Sequence, residues 1–387
     1  MPDNRTEAIP PAETVLSATH SSQMRGLLKR VVSNEIPKSE DLVSGEALER
    51  HLSVLGEPPL SLIVVGDIML GGRTNKVIAE HGADYPFAAV LPSLRRASSV
   101  LGNLEGPFAQ KARRERRNYS YRVNAELAPS LARAGIHVVT LANNHLLDCG
   151  RAGVLETLEV LTAAGVAPLG AGVDEKAAHT AVIRQQGRRR IGFLGYYWNR
   201  RCAATAVLPG SAMDPPEALE ADIRSLRDRV DRVVVTFHWG IPYEREPSPS
   251  DRAKAHFAVE CGADVVVGHH PHIVQPFEIY RGYPIFYSVG NFAFGSGNSR
   301  AEGLMVGVRF EERNTIVNVY PLYVKNRDPR VHYQPKFLWG EGAERQLRRL
   351  AEISGPSGKF LKLEEWRGTL DLPWPGLRHD RSEGAHA

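Results

Sequence analysis

From residue 60 onward the chain alternates short β-branched runs with segments of helical periodicity, and this alternation constrains the fold more than any other feature. It is typical of α/β proteins, in which helices connect the strands of a common sheet. The predicted strands are residues 62–65, 99–101, 137–141, 191–195, 233–237, 264–267 and 284–289. The predicted helices are residues 86–98, 125–134, 154–164, 216–229 and 250–261. We therefore predict an α/β fold built on buried strands.

Two later apolar runs, residues 304–310 and 316–323, depart from this alternation. Only a short polar turn separates them, whereas parallel strands need a crossover of about a dozen residues or more. The pair is therefore predicted to form a β-hairpin, which makes the sheets mixed.

Composition divides the chain into three predicted regions. Residues 1–58 are rich in Pro, Glu, Ser and Asp and lack strand patterns. They are predicted to form an appendage that is partly disordered or helical, with helices at 24–32 and 44–55. Residues 59–330 are predicted to form the main domain. Residues 331–387 are predicted to be a C-terminal extension with a frayed tail.

Polar residues of the types that bind metals follow six of the predicted strands. Strand ends in open α/β sheets converge on one crevice, where ligands bind. We therefore expect these residues to meet in space, although they are spread over more than two hundred residues of sequence. They are Asp67, Glu105, Asn144, His145, His238, His269, His270, His272 and Asn291.

The donors in this set are oxygen and imidazole groups without a thiolate, which suits Zn²⁺, Mn²⁺ or Fe. A carboxylate such as Glu105 can bridge two cations, and His270 and His272 can face adjacent metals. Two metals roughly 3.5–4 Å apart would clamp a phosphate or polarise a carbonyl. The sequence therefore predicts a divalent metal cofactor of one or two ions.

Each residue also has a simpler interpretation when it is taken alone. Only one of His269 and His270 is expected to reach a metal. The combination of six such turns after six buried strands nevertheless favours a common site. The simpler alternatives are a cap at Asp67, a left-handed turn at Asn144, a solvated loop at Glu105 and a core histidine at His238.

The motifs that contain these residues resemble those of the CapA family, which is named for capsule and poly-γ-glutamate synthesis. That family belongs to the calcineurin-like metallophosphoesterase superfamily. The resemblance extends from residue 60 to residue 300 in matching order. The motifs are GDIML (66–70), NLEGP (103–107), LANNHLLD (141–148), HWG (238–240), GHHPH (268–272) and IFYSVGNF (285–292).

The resemblance implies a four-layer α/β/β/α sandwich of the metallo-dependent phosphatase type, with mixed sheets and a dimetal site at the strand ends. It implies that His145 protonates the leaving group or stabilises the transition state. The implied metal ligands are Asp67 and His272 on the first ion, Glu105 as the bridge, and Asn144, His238 and His270 on the second.

One position departs from the superfamily pattern. Its first motif is Asp-x-His, and Met69 stands at the third position here. A thioether is a poor ligand for hard divalent ions, so the first metal is expected to bind weakly or the site to work with one metal.

A cationic run at residues 111–117 carries five Lys and Arg side chains in seven residues. Together with Arg122 it is predicted to contact an anionic substrate, either a small molecule or a polymer; a solvated loop is the alternative. Asn291 and His269 are also predicted to contact substrate. The net charge of +4 and the pI near 8.9 are too mild to indicate nucleic acid, so none is expected.

Two functions fit these features. The first is a metal-dependent hydrolase of a phosphoester or γ-glutamyl amide bond, in poly-γ-glutamate, capsule or related biosynthesis. The second is a non-catalytic accessory protein that binds metal and polyanion. The pairing of His145 with Asp148 one helical turn later supplies an acid–base group and favours the hydrolase. A nucleotide-driven ligase is disfavoured because the chain has no phosphate-binding glycine loop.

The remaining expectations concern compartment. The three cysteines, Cys149, Cys202 and Cys261, form no CxxC pair and are odd in number, which argues against a disulfide framework. The first residues lack the layout of a secretory signal, and no window reaches the apolar length of a membrane span. We therefore expect a cytoplasmic protein without a membrane span.

Overall fold

A computed structural model describes residues 36–43, 61–114, 120–297 and 299–375. The strands in these ranges are β1 (Leu42–Val43), β2 (Leu62–Met69), β3 (Val100–Leu104), β4 (Val138–Thr140), β5 (Ala167–Leu169), β6 (Ala171–Gly172), β7 (Val182–Gln186), β8 (Arg189–Tyr197), β9 (Gly210–Ser211), β10 (Arg232–His238), β11 (Val265–His269), β12 (Phe277–Tyr280), β13 (Tyr283–Phe286), β14 (Asn291–Phe294), β15 (Gly303–Phe310), β16 (Asn314–Tyr323), β17 (Lys336–Leu338), β18 (Lys362–Leu363) and β19 (Gly368–Pro373).

The helices in the same ranges are α1 (Thr74–His81), α2 (Leu91–Leu94), α3 (Ala128–Arg133), α4 (Gly150–Ala163), α5 (Glu175–Ala178), α6 (Pro216–Arg227), α7 (Pro249–Cys261) and α8 (Gly340–Ile353). Short 3-10 helices occupy Ser39–Asp41, Tyr85–Phe87, Ala125–Leu127 and Gly355–Phe360. None of these helices is long and apolar enough to cross a bilayer.

Two large mixed sheets form the centre of the fold. The first has the strand order β1-β17-β16-β15-β2-β3-β4-β5, and β14 and β19 also join it through β2 and β16. The second has the order β12-β13-β11-β10-β8-β7. Strands β2 to β5 are parallel, whereas β15 and β16 form the predicted antiparallel hairpin. The mixed sheets predicted from the hairpin are therefore confirmed.

The two sheets pack face to face, with helices on both outer faces. Along β2, Leu62 and Val64 point into the core between the sheets, and Ile63 and Val65 point towards α2, α3 and α4. On the second sheet, Val235 belongs to the outer core that α6 and α7 cover. Strands buried on both faces read as continuous apolar runs, which is why they were recognisable in the sequence. The predicted four-layer α/β/β/α sandwich is confirmed.

Several strands extend beyond their predicted ends and include the polar residues that follow them. Asp67 lies within β2, and His238 and His269 are the last residues of β10 and β11. Strand hydrogen bonds use the backbone, so a polar side chain at the buried end does not stop pairing. The pairing of β2 with β3 shifts register between Val64 and Asp67, so the strand is irregular where it reaches the site.

Two predicted elements were wrong in extent. The strand predicted at residues 284–289 ends earlier, because β13 stops at Phe286 in the second sheet; the chain then crosses to the first sheet, where β14 begins at Asn291. Between them Gly290 has a φ of 69°, which turns the chain from one sheet to the other. The helix predicted at 86–98 shortens to α2, since Pro92 lies at its first turn.

The two terminal regions contribute strands to the first sheet. β1 pairs with β17, so the expectation that residues 1–58 lack strands was wrong at Leu42–Val43. β17 and β19 both pair with β16. The predicted helices at 24–32 and 44–55, and the last residues of the predicted frayed tail, lie outside the described residues. The domain boundaries at residues 58 and 330 stay predictions. All three cysteines are buried and free.

Candidate metal centre

Backbone pairing at the carboxyl ends of the strands brings the predicted site residues together. In the first sheet, Asp67 of β2 stands opposite both Asn103 of β3 and Asn291 of β14. In the second sheet, His238 of β10 stands opposite His269 of β11. The site therefore draws side chains from both sheets at one edge of the sandwich.

Five of the predicted metal ligands form two overlapping clusters. Glu105, His238 and His270 each place one donor atom within 4.8 Å of the other two, and so do Asp67, Glu105 and His272. Glu105 belongs to both clusters, which is the position that a bridging carboxylate requires. The sixth predicted ligand, Asn144, has its Oδ1 2.8 Å from His238 Nε2.

Asp67 is a fully buried anion of the site. Burial by itself raises the pKa of Asp67, but contacts with His269 and His272 outweigh it and hold the pKa well below its usual range. His272 Nδ1 lies 3.0 Å from Asp67 Oδ2, although it directs its hydrogen bond to Asn291 Oδ1 at 2.9 Å. Asp67 is therefore an anion at neutral pH, the form that binds a cation.

Charge and burial also shift the pKa values of the neighbouring groups. Burial and the charge of Asp67 raise the pKa of Glu105 to about 7. Burial also lowers the pKa of His270 to about 4, so its ring is neutral. Burial favours the neutral form of His272 as well, but the charge of Glu105 and contact with Asp67 raise the pKa of His272 to about 9. A cation would have to displace the His272 proton.

Unpartnered buried atoms show that the residues fit a cation. Asp67 Oδ2, Glu105 Oε2 and His270 Nδ1 are buried and make no hydrogen bond within the described ranges. Buried polar atoms are normally paired, because an unpaired one keeps the full cost of leaving water. Carboxylate oxygens and a neutral imidazole are donors that a divalent ion of the Mn²⁺, Zn²⁺ or Fe type accepts.

The turn that carries two of the candidate ligands is strained. His270 has a φ of 101° and His272 a φ of 58°, a region that residues other than glycine rarely adopt. A Cβ on Gly268, just before the turn, would lie 2.0 Å from Tyr287 O, so only glycine allows this close approach. Such strain persists where the surrounding structure fixes it, as at binding sites.

Asn103 links the two sheets, and the sequence analysis assigned it no role. Its Nδ2 donates to Asp67 Oδ1 at 2.8 Å and to Glu105 Oε1 at 3.2 Å, and lies 3.3 Å from His238 Nδ1. Asn143 Nδ2 in turn donates to Asn103 Oδ1 at 3.1 Å. Asn103 therefore orients two carboxylates at once. The sequence contained one indication of this role, because Asn103 lies in the same motif as Glu105.

Met69 does not face the candidate ligands with its sulfur. The backbone N–H of Gly71 donates to Met69 Sδ at 3.1 Å, and the side chain is buried. The thioether therefore stabilises the turn after β2. Met69 therefore supplies no imidazole donor in place of the histidine of the Asp-x-His motif.

His145 and Asp148 are placed as the sequence predicts for an acid–base pair. His145 Nδ1 lies 2.7 Å from Asp148 Oδ2, which also accepts the backbone N–H of Tyr121 at 2.6 Å. The Tyr121 ring packs against the imidazole with 4.4 Å between centroids. His145 Nε2 lies 3.8 Å from Glu105 Oε2, so the free nitrogen faces the candidate metal centre.

Comparison with known proteins identifies the family. The sequence profile of the bacterial capsule synthesis protein PGA_cap matches residues 61–296, which is more than half of the 387-residue chain. The chain belongs to this family. The CapA resemblance expected from the motifs is thereby confirmed.

The relatives include the capsule biosynthesis protein CapA of Bacillus anthracis, 33% identical over 70% of this chain and 69% of the relative. The PGA biosynthesis protein CapA of Bacillus subtilis is also 33% identical, over 85% of this chain and 87% of the relative. A probable polyglutamine synthesis accessory protein of Mycobacterium tuberculosis is 29% identical over 65% of this chain and 72% of the relative.

Solved structures with a similar fold include the NAD nucleotidase of Haemophilus influenzae, at 14% identity and a TM-score of 0.41. The alignment covers 65% of this chain and 53% of the nucleotidase. The 5'-nucleotidase precursor of Thermus thermophilus aligns at 14% identity and a TM-score of 0.37, over 81% of this chain and 54% of that chain. The chain thus spans about half the length of each nucleotidase.

Two residues predicted to contact substrate are buried in this PGA_cap family member. His269 is fully buried in β11, with Nδ1 3.5 Å from Asp67 Oδ1 and no hydrogen bond from a described residue to either ring nitrogen. Asn291 is also buried and lies 2.9 Å from His272 Nδ1. Both residues contact candidate metal ligands, His269 through Asp67 and Asn291 through His272. Their direct contact with substrate stays a prediction.

Three of the predicted cationic residues line a cavity beside the site. Arg122, Arg113 and Arg114 border a cavity of about 500 Å³ together with Tyr121. Residues 115–117 of the predicted run lie outside the described ranges. A second cavity of about 400 Å³ shares the Tyr121 wall and reaches His272; its other lining residues are Arg73, Tyr243, Phe294, Ser296, Gly297 and Arg327. Among these lining residues, only His272 was predicted from the sequence to belong to the site.

Glu302 fastens the strained histidine turn, although it lies beyond the residues that the family profile matches. Its backbone N–H donates to His272 O at 3.3 Å, and its carbonyl accepts the N–H of Asn291 at 2.8 Å. Its carboxylate receives the guanidinium of Arg245 at 2.8 and 2.9 Å and that of Arg349, from α8, at 2.8 Å. The backbone of Glu302 therefore holds the turn, and its carboxylate ties Glu302 to Arg245 and Arg349.

We expect the Glu302→Gln substitution to lower metal affinity by about 10-fold to 100-fold, the range typical of residues that orient metal ligands. The amide keeps the size of the side chain but loses the charge that holds two guanidinium groups. Competition with a fluorescent chelator measures the affinity. Arg348→Gln, which removes an exposed ion pair with Glu344 on the same helix as Arg349, is the control. Equal affinities of Glu302→Gln and wild type would contradict the clamp.

Proposed function

We propose that this protein is a metal-dependent hydrolase that cleaves a phosphoester or a γ-glutamyl amide bond of an anionic substrate in capsule-polymer metabolism. The observation that carries the proposal is His145, whose Nδ1 is held by Asp148 and whose Nε2 faces Glu105. An acid–base group beside a cluster of metal donors is what hydrolysis of either bond needs. The family and the names of two CapA relatives support a role in capsule or PGA synthesis.

Each group of residues at the candidate site has a separate role in the proposed reaction. A divalent cation held by Asp67, Glu105 and the histidines would stabilise the negative charge that develops on the oxygens of the reacting group. Asp148 fixes the proton on His145 Nδ1, so that Nε2 can hold or move a proton at the leaving group. Asn103 keeps the carboxylates of Asp67 and Glu105 oriented towards the same space.

A non-catalytic accessory role is the second candidate. Met69 favours it, because the thioether turns to Gly71 and adds no hard donor to the first cluster. In that case the site would hold a metal and an acidic polymer without turnover. Cation-lined cavities are compatible with both functions, so turnover decides between them.

We expect purified protein to bind Mn²⁺, Zn²⁺ or Fe stoichiometrically, and to do so more tightly at pH 8.5 than at pH 6.5. Glu105 and Asp67 raise the pKa of His272 to about 9, and the ring must lose its proton to bind a metal. Elemental analysis and metal titration at the two pH values check this. A panel of phosphoesters and γ-glutamyl amides is then tested with the loaded protein and with protein stripped by chelator.

The outcomes separate the hypotheses. Metal-dependent turnover on any member of the panel supports the hydrolase. Stoichiometric metal without turnover contradicts the hydrolase and favours the accessory role. Failure to bind any of the three metals at either pH would contradict the metal centre itself.

A further inference from the structure

Two arginines converge at one point of the second cavity. A Cβ atom on Gly297 would lie 2.6 Å from Arg73 Nη1 and 3.7 Å from Arg327 Nε, so both guanidinium groups lie against the same face of this glycine. Neither arginine forms an ion pair with an acidic residue in the described parts of the chain. Like charges brought together without a counter-charge repel each other, so this arrangement is unfavourable unless an anion joins it.

The backbone holds the two arginines in place. The N–H of Arg73 donates to Gly295 O at 3.1 Å, which attaches the start of α1 to the loop after β14. Asn326, next to Arg327, donates through Nδ2 to Ser296 O at 2.9 Å and also to Phe294 O. The chain segments that carry the two arginines are therefore attached to the same short loop.

The cavity connects this pair to the candidate metal centre. His272 lies on its wall, and the Phe294 and Tyr243 rings lie 5.0 and 6.0 Å from the His272 ring, centroid to centroid. Aromatic faces of this kind pack against the methylene groups of a chain that carries acidic groups. An anion on the arginines would thus lie next to the reacting group but outside the metal donors.

We propose that Arg73 and Arg327 form a substrate subsite that binds an oxyanion one acidic group away from the reacting bond. The guanidinium fork matches the two oxygens of a carboxylate or phosphate. The subsite rests on the proposed function for its place next to a reacting bond, but its ability to bind an anion does not depend on turnover. It selects substrates with a second negative charge over singly charged ones.

The test is equilibrium binding by calorimetry to metal-loaded protein that carries His145→Ala, which should keep its metal without turning the probes over. A γ-linked glutamate pentamer is the carboxylate probe and tripolyphosphate is the phosphate probe. We expect the double variant Arg73→Ala/Arg327→Ala to weaken binding of at least one probe by about tenfold to hundredfold. Arg188→Ala/Arg313→Ala removes the same charge from two exposed positions near the opposite ends of the strands, and it should change affinity less than twofold.

A second variant separates geometry from net charge. Gly297→Ala keeps both arginines, but its methyl group meets Arg73 Nη1 and displaces that flexible side chain. We expect it to weaken the same probe at least threefold with unchanged metal content. If the arginine substitutions weaken binding of the pentamer alone, the subsite binds carboxylates. If they weaken binding of tripolyphosphate alone, it binds phosphates.

Equal binding of both probes with and without the two arginine substitutions would overturn the subsite, and so would an equal loss in the control double variant. Neither result would contradict the metal centre or the proposed hydrolysis. Conversely, a protein that binds a probe through the arginine pair but hydrolyses nothing retains the subsite and contradicts only the hydrolase.

Discussion

Replacing His145 with alanine is expected to lower kcat by about 10²-fold to 10⁴-fold while metal content stays at the wild-type level. The imidazole is fixed through Nδ1 by Asp148 and presents Nε2 towards Glu105, 3.8 Å away. It makes no contact with the other candidate ligands that would explain a loss of metal. The measurement is kcat on the best substrate of the panel together with elemental analysis of the same sample.

His179→Ala is a matched control for this variant. His179 Nδ1 lies 2.7 Å from Asp222 Oδ2, the same histidine–aspartate arrangement, but its Nε2 accepts the backbone N–H of Met213. Removing it should leave kcat unchanged in folded protein. If His145→Ala lost metal and activity together, the ring would only order the Asn144 loop. Normal turnover in His145→Ala would contradict any role in catalysis.

Replacing Asp67 with asparagine is expected to weaken metal binding by on the order of 100-fold or more and to abolish turnover. Residues that merely orient ligands typically contribute about 10-fold to 100-fold to affinity, so an anionic ligand should contribute at least as much. Asp67 is fully buried and is held as an anion by His269 and His272. The amide has nearly the same shape, so the fold should persist.

Chelator competition measures the affinity of Asp67→Asn, and thermal unfolding checks its fold. Asp264→Asn is the control, because Asp264 is an equally buried carboxylate that accepts the N–H of Val233 at the opposite end of the second sheet. It should retain wild-type affinity for metal. The same affinity in Asp67→Asn as in wild type would remove Asp67 from the ligand set.

Some of the site could be predicted because its signal is local in sequence. Asp67, Glu105 and His238 each follow an apolar run that is buried on both faces, so the end of each run was visible and its polar residue stood out. His145 and Asp148 are three residues apart, and that spacing brought them into hydrogen-bond contact in the structure. Their roles in metal binding and catalysis stay predictions.

The sequence by itself determined the α/β fold class and the strand ends at which polar residues gather, because strands buried on both faces leave continuous apolar runs in the sequence. The four-layer arrangement was implied only by the resemblance to the CapA family. Only the tertiary structure decided that β14 joins the first sheet, that Glu302 fastens the histidine turn, and that Arg73 and Arg327 meet at Gly297. These contacts join residues far apart in the chain. They depend on which backbones approach each other after packing, and no local periodicity records that.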